Sequence, residues 1–287
     1  MKSITFAILI LGFLSCHGQP DEKEISSKTS EPIEAVKFNL TGATVQERIN
    51  PPANFKRIQA TPNSFANYLR NLPLKADSAE VTFYNGGKKY NTGVYCAVVD
   101  MAIGEKNLHQ CADAVMRLKA EHLWKTGQYD KIHFNFTNGF RVDYLEWMKG
   151  RRMVVEGNKT YWNNRSAYSN SYEDYWEYME LIFMYAGTAS LSKELQSIRK
   201  IDMKIGDVII RGGHPGHAVL VVDMAKNPQT GEKLFLLAQS YMPAQETQIL
   251  NNLMDKNLSP WYRLDDSHDI FTPEWTFSKT DLKRFKN

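Results

Sequence analysis

The sequence predicts an α+β fold in which an antiparallel sheet packs against a helix. The stretch 206–223 holds two short apolar runs around a glycine-rich turn, and a third apolar run follows at Leu234–Gln239. Earlier, apolar residues recur between Leu108 and Leu123 at the spacing of an amphipathic helix. Helices come early and a strand meander comes late, which is the order typical of α+β proteins.

The composition fits an ordinary globular protein. The chain has 287 residues, of which 43% are hydrophobic and 23% charged. Its net charge of +3 comes without a block of basic residues, so we expect no nucleic-acid partner. No pattern in the sequence predicts a cofactor.

The N-terminus resembles a bacterial lipoprotein signal. Residues 1–15 contain an apolar run, Ile4–Leu14, which is too short to span a bilayer, and the segment ends in Leu14-Ser15-Cys16. We expect Cys16 to carry lipid and to anchor the protein to a membrane of the bacterial cell envelope. An ordinary secretory signal that is cut nearby is the alternative. Residues 16–37 predict a disordered tether, and 38–287 a single domain.

The first half of that domain predicts three helices and three strands. The most informative helix has Asn107 as its N-cap and Gln110 reaching back from the third helical position, which places Cys111 at the fourth. The other predicted elements are a helix over Phe65–Asn71 capped by Ser64, strands at Glu80–Tyr84, Gly93–Met101 and Ile132–Phe136, and a short helix at Tyr144–Met148.

The second half predicts helices followed by a meander of strands. After a loop over Tyr161–Asn170 come a helix over Tyr172–Ala186 and helical residues Leu191–Ser197. The predicted strands are Val208–Arg211, Ala218–Val222, Leu234–Gln239 and Thr247–Leu250, with a hairpin turn at Asn227–Gly231. The aromatic residues near the C-terminus, Trp261, Tyr262, Trp275 and Phe277, are expected to cover the core.

Three residues form a candidate catalytic group. Cys111 lies near a helix N-terminus, where the helix dipole and free N–H groups favour a thiolate. His217, at the start of a buried strand, is the candidate general base. If the following strands form a hairpin, Gln239 returns to the level of His217 and can orient its ring. We therefore expect the thiol and the imidazole to meet, and the thiol pKa to fall below its free value of about 8.5.

The order of these residues resembles that of papain-like cysteine hydrolases of the NlpC type. The matching pieces are Cys111, Gly206-Asp207, Gly216-His217 and Gln239. The resemblance implies a papain-like core and cleavage of peptide bonds in bacterial cell-wall peptidoglycan. The chain departs from the family pattern in having Gln110-Cys111-Ala112-Asp113 around the cysteine, and Gln instead of the common His as the third polar residue.

A closer resemblance covers nearly the whole chain after the signal. The segments 110–118, 185–191, 215–219 and 237–245 are similar to the bacterial lipoprotein family catalogued as domain of unknown function 4846. This resemblance implies a lipoprotein and no established activity.

Other interpretations of the same residues stay open. Cys111 can be a small buried hydrophobe, or can form a disulfide with Cys96 in an oxidising compartment. His214 and His217 have a weak metal-ligand spacing, but we expect no metal site. His109 and His122 are expected on the polar side of their helix. The chain is therefore a cell-envelope cysteine peptidase or amidase, a catalytically inactive papain-like binding module, or a metal-dependent envelope protein.

Overall fold

A nine-stranded antiparallel sheet is the central feature of the computed structural model, which describes residues 35–286. Its α-helices are α1 (Val45–Arg48), α2 (Phe65–Arg70), α3 (Cys111–Lys125), α4 (Tyr144–Met148), α5 (Tyr172–Tyr185) and α6 (Thr188–Glu194). Its strands are β1 (Lys56–Arg57), β2 (Tyr95–Val98), β3 (His133–Asn135), β4 (Arg141–Asp143), β5 (Arg151–Glu156), β6 (Lys159–Asn164), β7 (Gln196–Ser197), β8 (Val208–Arg211), β9 (His217–Lys226), β10 (Lys233–Gln239), β11 (Gln248–Leu250), β12 (Tyr262–Arg263), β13 (Ile270–Phe271), β14 (Thr276–Phe277) and β15 (Leu282–Arg284). The predicted α+β class and the large antiparallel sheet are confirmed.

The sheet is built around the meander β8–β9–β10. The strands follow the order β2-β11-β10-β9-β8-β15-β7, with β1 paired to β9 and β12 paired to β10. The turn between β9 and β10 begins at Asn227, whose backbone carbonyl accepts a hydrogen bond from the Gly231 N–H at 2.9 Å. The predicted hairpin is therefore present, and β9 is longer at both ends than the predicted Ala218–Val222 because pairing with β8, β10 and β1 extends it.

The two faces of the sheet pack into different cores. Side chains alternate along β9, so that Ala218 and Leu220 enter the main core beneath α3. Val219 and Val221 enter a second apolar cluster on the other face, which contains Phe277 from the C-terminal segment. This alternation decides on which side of the sheet each polar residue of the strand lies.

The starts of α2 and α5 are where the sequence predicts them. The side chain of Ser64 accepts a hydrogen bond from the Asn67 N–H at 3.2 Å and begins α2. Ser171 does the same for α5, accepting from the Asp174 N–H at 3.2 Å. The short helix α4 has the predicted bounds.

Several predicted elements differ in the structure. The predicted strand at 80–84 is reduced to isolated bridges, Thr82 with Lys88 and Phe83 with Gln245, because no neighbouring strand continues the pairing. The strand predicted over 93–101 is only β2, and that over 132–136 only β3. Residues 161–164, predicted as loop, pair with β5, and the predicted helical residues 196–197 pair with β15.

A buried ion cluster fastens β1 and α2 to β9. The Asp223 carboxylate is fully buried and accepts hydrogen bonds from Arg57 Nε at 2.6 Å and from Arg70 Nε at 2.8 Å. Each arginine also donates to a backbone carbonyl, Arg57 to Ile49 and Arg70 to Ile58. The charges are thus paired and hydrogen-bonded, which is the condition under which buried charges are tolerated.

The N-terminal predictions lie largely outside the described residues. The signal segment 1–15, Cys16 and the tether up to residue 34 are not among them. At the start of the described chain, Val36 packs against the main core and the Lys37 carbonyl accepts a hydrogen bond from the Asn50 N–H at 3.4 Å. Within residues 35–286, no helix has the length and apolar character that crossing a membrane requires.

Candidate functional site

Cys111 is the first residue of α3. The preceding residue, Gln110, has an extended backbone and is the N-cap, and its N–H donates to the Asp113 carboxylate at 3.0 Å. The predicted cap at Asn107 is therefore wrong, because the Asp113 side chain supplies the closing hydrogen bond one turn later. The Asn107 side chain instead accepts a hydrogen bond from the Ala244 N–H at 2.8 Å. Cys111 thus lies three positions closer to the helix terminus than the sequence pattern predicts.

The protein holds the Cys111 thiol in its neutral form. The residue is 8% exposed, and burial raises the pKa of its thiol to about 11. The negative charge of Asp113 raises this pKa further, whereas the backbone N–H groups of Ala112 and Ala218 act to lower it. The expected thiol pKa below 8.5 is not found, because loss of solvation outweighs the N–H groups at the helix start.

His217 and Gln239 form the predicted hydrogen bond. His217 is the first residue of β9 and Gln239 the last of β10, and the ring Nε2 lies 2.9 Å from the amide Oε1. The Gln239 amide nitrogen donates to the Glu274 carboxylate at 2.5 Å. This second bond fixes the amide orientation, so Oε1 must accept from Nε2–H. The neutral ring consequently carries its lone pair on Nδ1.

Two further charged residues complete this network, and the sequence analysis missed both. Glu274 also accepts a hydrogen bond from Lys89 Nζ at 2.7 Å, and Lys89 donates to Gln245 Oε1 at 3.1 Å. Lys89 is buried at 6% exposure. Both residues lie in irregular segments far from Gln239 in sequence, so no local spacing signals their role.

Aromatic rings enclose His217. Its ring centroid lies 4.8 Å from that of Tyr241, 5.4 Å from Trp275 and 5.7 Å from Phe277. Burial lowers the pKa of His217 to about 4, and the charge of Lys89 lowers it further against the opposing effect of the Gln239 hydrogen bond. The imidazole is therefore neutral at neutral pH and available as a base.

Cys111 and His217 lie at the same end of the sheet. The Ala218 N–H, which favours the Cys111 thiolate, belongs to the residue after His217. Tyr241, which contacts the His217 ring, has a pKa that is raised by burial, by Glu274 and by the charge of Cys111. Within residues 35–286 no hydrogen bond joins the thiol to the imidazole, and the ring packs on Phe277 of the second cluster. Because side chains alternate along β9, the His217 ring lies with Val219 and Val221 on the second-cluster side of the sheet, opposite the main core beneath α3. The resting site thus contains two neutral groups that are not hydrogen-bonded to each other.

A cavity of about 250 Å³ opens beside Cys111. Its wall includes Phe183, Thr188, Met242 and the 213–216 turn that joins β8 to β9. A Cβ on Gly216 would come within 2.3 Å of Thr188 Oγ1, so only glycine lets this turn approach the start of α6. The close approach gives the cavity its wall opposite Cys111.

Asp113 adds a protonated carboxyl group to the same cavity. Burial raises its pKa to about 8, against which the Gln110 N–H acts. Its Oδ1 atom is buried without a hydrogen-bond partner, while Oδ2 accepts from Gln110. The sequence analysis gave Asp113 no role, although an acidic residue two positions after the candidate nucleophile was visible there.

The other cysteine and histidine predictions are decided by burial. Cys96 and Cys111 are both free thiols, so the disulfide between them is not formed. Burial raises the pKa of the Cys96 thiol to about 12. His109 and His122 are buried, at 1% and 5% exposure, so the expectation of polar-side positions is wrong. His122 lies in α3, which packs against α2, α5 and the sheet, whereas His109 precedes α3 and contacts Phe183 and the Gln245 carbonyl. No group of three or more His, Cys, Asp or Glu side chains is arranged for a metal ion within the described chain.

The fold and the site define an α+β protein with a buried cysteine, a cavity and a histidine–glutamine pair at one end of an antiparallel sheet. The chain belongs to the family described as domain of unknown function 4846, whose family model matches residues 45–284. This membership confirms the expected resemblance to that domain family. Comparison with curated proteins and with solved structures found no match in either set.

Proposed function

We propose that this chain is a cysteine-dependent peptidase or amidase of the bacterial cell envelope, related to papain-like hydrolases of the NlpC type and anchored by a lipid on Cys16. The observation that carries the proposal is the position of Cys111 as first residue of α3, with its thiol against the start of the strand that His217 begins. The Gln239 hydrogen bond leaves His217 Nδ1 as the unprotonated nitrogen, which a general base requires.

The proposed reaction begins from two neutral groups. When a substrate amide enters the cavity, the Cys111 thiol gives its proton to His217 Nδ1 while its sulfur bonds to the amide carbon. The C–N bond then breaks, and the leaving amine takes the proton from His217. Water hydrolyses the resulting thioester, again with His217 accepting and returning one proton, which restores the thiol. Glu274 and Gln239 act as positioning residues that hold the imidazole in the required tautomer.

Peptidoglycan peptides are the proposed substrate class. This choice rests on the NlpC-type resemblance of Cys111, Gly216-His217 and Gln239. A cavity of about 250 Å³ suits one side chain and its adjoining amide rather than a whole peptide. The departures at Ala112 and Gln239 from the usual family residues do not remove a nucleophile, a base or an orienting acceptor.

A catalytically inactive binding module is the second candidate. The absence of a hydrogen bond between the described Cys111 and His217 side chains favours it, as does the raised pKa of the Cys111 thiol. In this case the cavity beside Cys111 would hold a wall fragment without cleaving it. Removing the thiol would then leave binding unchanged.

One experiment separates the two candidates. Purified peptidoglycan fragments are incubated with the full chain, and new amino groups and bound fragments are measured by mass spectrometry. Hydrolysis should be lost in Cys111→Ala, fall by about 10²-fold or more in His217→Ala, and fall less in Gln239→Ala. Cys96→Ala is the matched control, because it removes a half-buried free thiol outside the cavity. Binding without new amino groups, equal in wild type and Cys111→Ala, would establish the binding module.

The lipid anchor is tested separately. Growth with radiolabelled palmitate should label the wild type and not Cys16→Ala, since no other cysteine follows an apolar signal run. Cys96→Ala should remain labelled. Equal labelling of the wild type and Cys16→Ala would remove the lipid anchor from the proposal.

A further inference from the structure

A second and larger cavity lies away from Cys111. It has a volume of about 800 Å³ and is bounded by the later part of α3, the β3–β4 hairpin, the end of α6 and the C-terminal residues Phe285 and Lys286. It shares no lining residue with the cavity beside Cys111. A ligand bound in this cavity would therefore not contact the site of the proposed hydrolase reaction.

The walls of this cavity carry an excess of positive charge. Five basic side chains face two acidic ones: Lys119, Lys131, Arg141, Lys193 and Lys286 against Asp130 and Glu194. The chain as a whole is nearly balanced, with 35 basic and 32 acidic residues, so the local ratio is unusual. Clustered like charges destabilise a folded protein unless an anion joins them.

None of the four lysines, Lys119, Lys131, Lys193 and Lys286, has an ion-pair partner within residues 35–286, and Lys131 donates a hydrogen bond to the Gln128 amide oxygen. Lys119 is the most enclosed of them, and its Nζ lies over the rings of Phe65 and Phe285, at 4.9 and 5.5 Å from their centroids. Burial and the charge of Lys131 lower the pKa of Lys119. The cavity thus presents an ammonium group that lies on an apolar aromatic surface and has no carboxylate within ion-pair distance among the described residues.

One of the two acidic side chains of the cavity already has hydrogen-bonding partners. Glu194 accepts a hydrogen bond from the Asn135 N–H at 2.9 Å, and burial raises its pKa. Next to it, His133 Nδ1 is buried without a hydrogen-bond partner. This unused ring nitrogen can donate to an anion once it carries a proton.

We propose that this cavity binds a small molecule in which a phosphate group is attached to an aromatic or other apolar group. Lysine ammonium groups bind phosphate as point charges, and up to two negative charges on the phosphate would offset most of the local excess. The rings of Phe65, Phe134 and Phe285 form the apolar part of the wall. The combination of unpaired ammonium groups with an aromatic surface suits such a two-part ligand better than a free inorganic ion.

The test is calorimetric titration of the full chain with phenyl phosphate, inorganic phosphate and phenol. Phenyl phosphate should bind at one site, at least tenfold more tightly than inorganic phosphate, and phenol should not bind measurably. Lys119→Gln and Lys193→Gln should each weaken phenyl phosphate binding about tenfold, and added salt should weaken it in the wild type. Lys256→Gln is the matched control, because it removes the same charge from an exposed position outside the cavity.

Three outcomes would overturn the proposal. The first is that phenyl phosphate does not bind with a dissociation constant below about 1 mM, which corresponds to a binding free energy of only about 4 kcal/mol. The second is equal weakening by Lys256→Gln, which would mean nonspecific charge attraction. In the third, vesicles containing phosphatidylglycerol bind through Lys119 and Lys193 while phenyl phosphate does not, and the ligand is then a membrane surface.

Discussion

At the scale of single residues, burial has a larger effect on the site than the helix terminus. Cys111 occupies the first position of α3, where N–H groups favour a thiolate, yet the pKa of its thiol is raised to about 11. His217 is affected in the opposite sense, with a pKa lowered to about 4. Both pKa shifts favour the neutral form of the side chain over the thiolate or the imidazolium, as expected when groups lose their hydration. A reactive ion pair would require a change in this environment when substrate binds.

The reactivity of Cys111 should therefore depend on Asp113. Above pH 8 the Asp113 carboxylate is charged and raises the pKa of the thiol, so Asp113→Asn should lower that pKa. We expect Asp113→Asn to speed iodoacetamide labelling of Cys111 several-fold at pH 9, measured on the Cys111 peptide by mass spectrometry. Cys96, with a pKa raised to about 12 by burial, is the internal control and should label at an unchanged rate. An unchanged Cys111 rate would contradict the effect assigned to Asp113.

Asp113 should also make stability depend on pH. Its pKa is about 8 in the folded protein and about 4 when unfolded, so the folded state binds more protons between these values. The stability associated with the neutral carboxyl is therefore present below about pH 4 and is lost as pH rises through 8. Relative to the wild type, Asp113→Asn should gain free energy of unfolding from pH 5 to pH 8, by at most about 1.4 kcal/mol per pH unit. Urea unfolding at several pH values measures this difference, and a constant difference would contradict the shifted pKa.

At the scale of elements, paired charges hold the periphery to the sheet. Asp223 on β9 binds Arg57 of β1 and Arg70 of α2, and all three have further hydrogen bonds to backbone groups. The cluster links parts of the chain more than 150 positions apart. It therefore acts as a fixed point between the N-terminal elements and the sheet.

Removing Asp223 should be costly because the buried Arg70 and the half-buried Arg57 would both lose their counter-charge. We expect Asp223→Ala to lower the free energy of unfolding by about 3–5 kcal/mol, measured by urea denaturation. Glu80→Ala is the control, since it breaks the exposed pair with Lys88 and should cost less than about 1 kcal/mol. Equal losses in the two variants would mean that burial adds nothing to the Asp223 cluster.

At the scale of the whole molecule, residues before Phe38 already make contacts with the folded domain. Val36 packs against the main core, and the Lys37 carbonyl accepts a hydrogen bond from Asn50. The expectation that the folded domain starts at residue 38 omits both contacts. Their combined contribution is modest because Val36 is only partly buried.

Two truncations should separate these contacts from the preceding residues. A chain beginning at Ala35 should unfold at the same temperature as the full chain, because it keeps Val36 and Lys37. A chain beginning at Phe38 should lose about 1 kcal/mol of stability, because it exposes the core surface that Val36 covers and loses the hydrogen bond to the Lys37 carbonyl. Thermal denaturation of the three proteins tests this, and identical midpoints for all three would support a domain that starts at residue 38.

The sequence by itself determined the elements that depend on local interactions. The cap at Ser64, the start of α5 at Tyr172 and the meander β8–β9–β10 are where the pattern predicts them, because cap side chains, turn residues and apolar spacing act within a few positions. The hydrogen bond of His217 to Gln239 follows from the same hairpin. The order of residues along the chain was therefore sufficient to propose that His217 and Gln239 meet.

Only the tertiary structure decided the environment of those residues. The contact of Glu274 with Gln239 and the basic cavity around Lys119 involve partners distant in sequence, and the raised pKa of Asp113 depends on burial. Desolvation depends on everything packed around a group, and the spacing of residues along the chain does not contain it. For this reason the sequence predicted the identity of the candidate site and the structure decided its protonation.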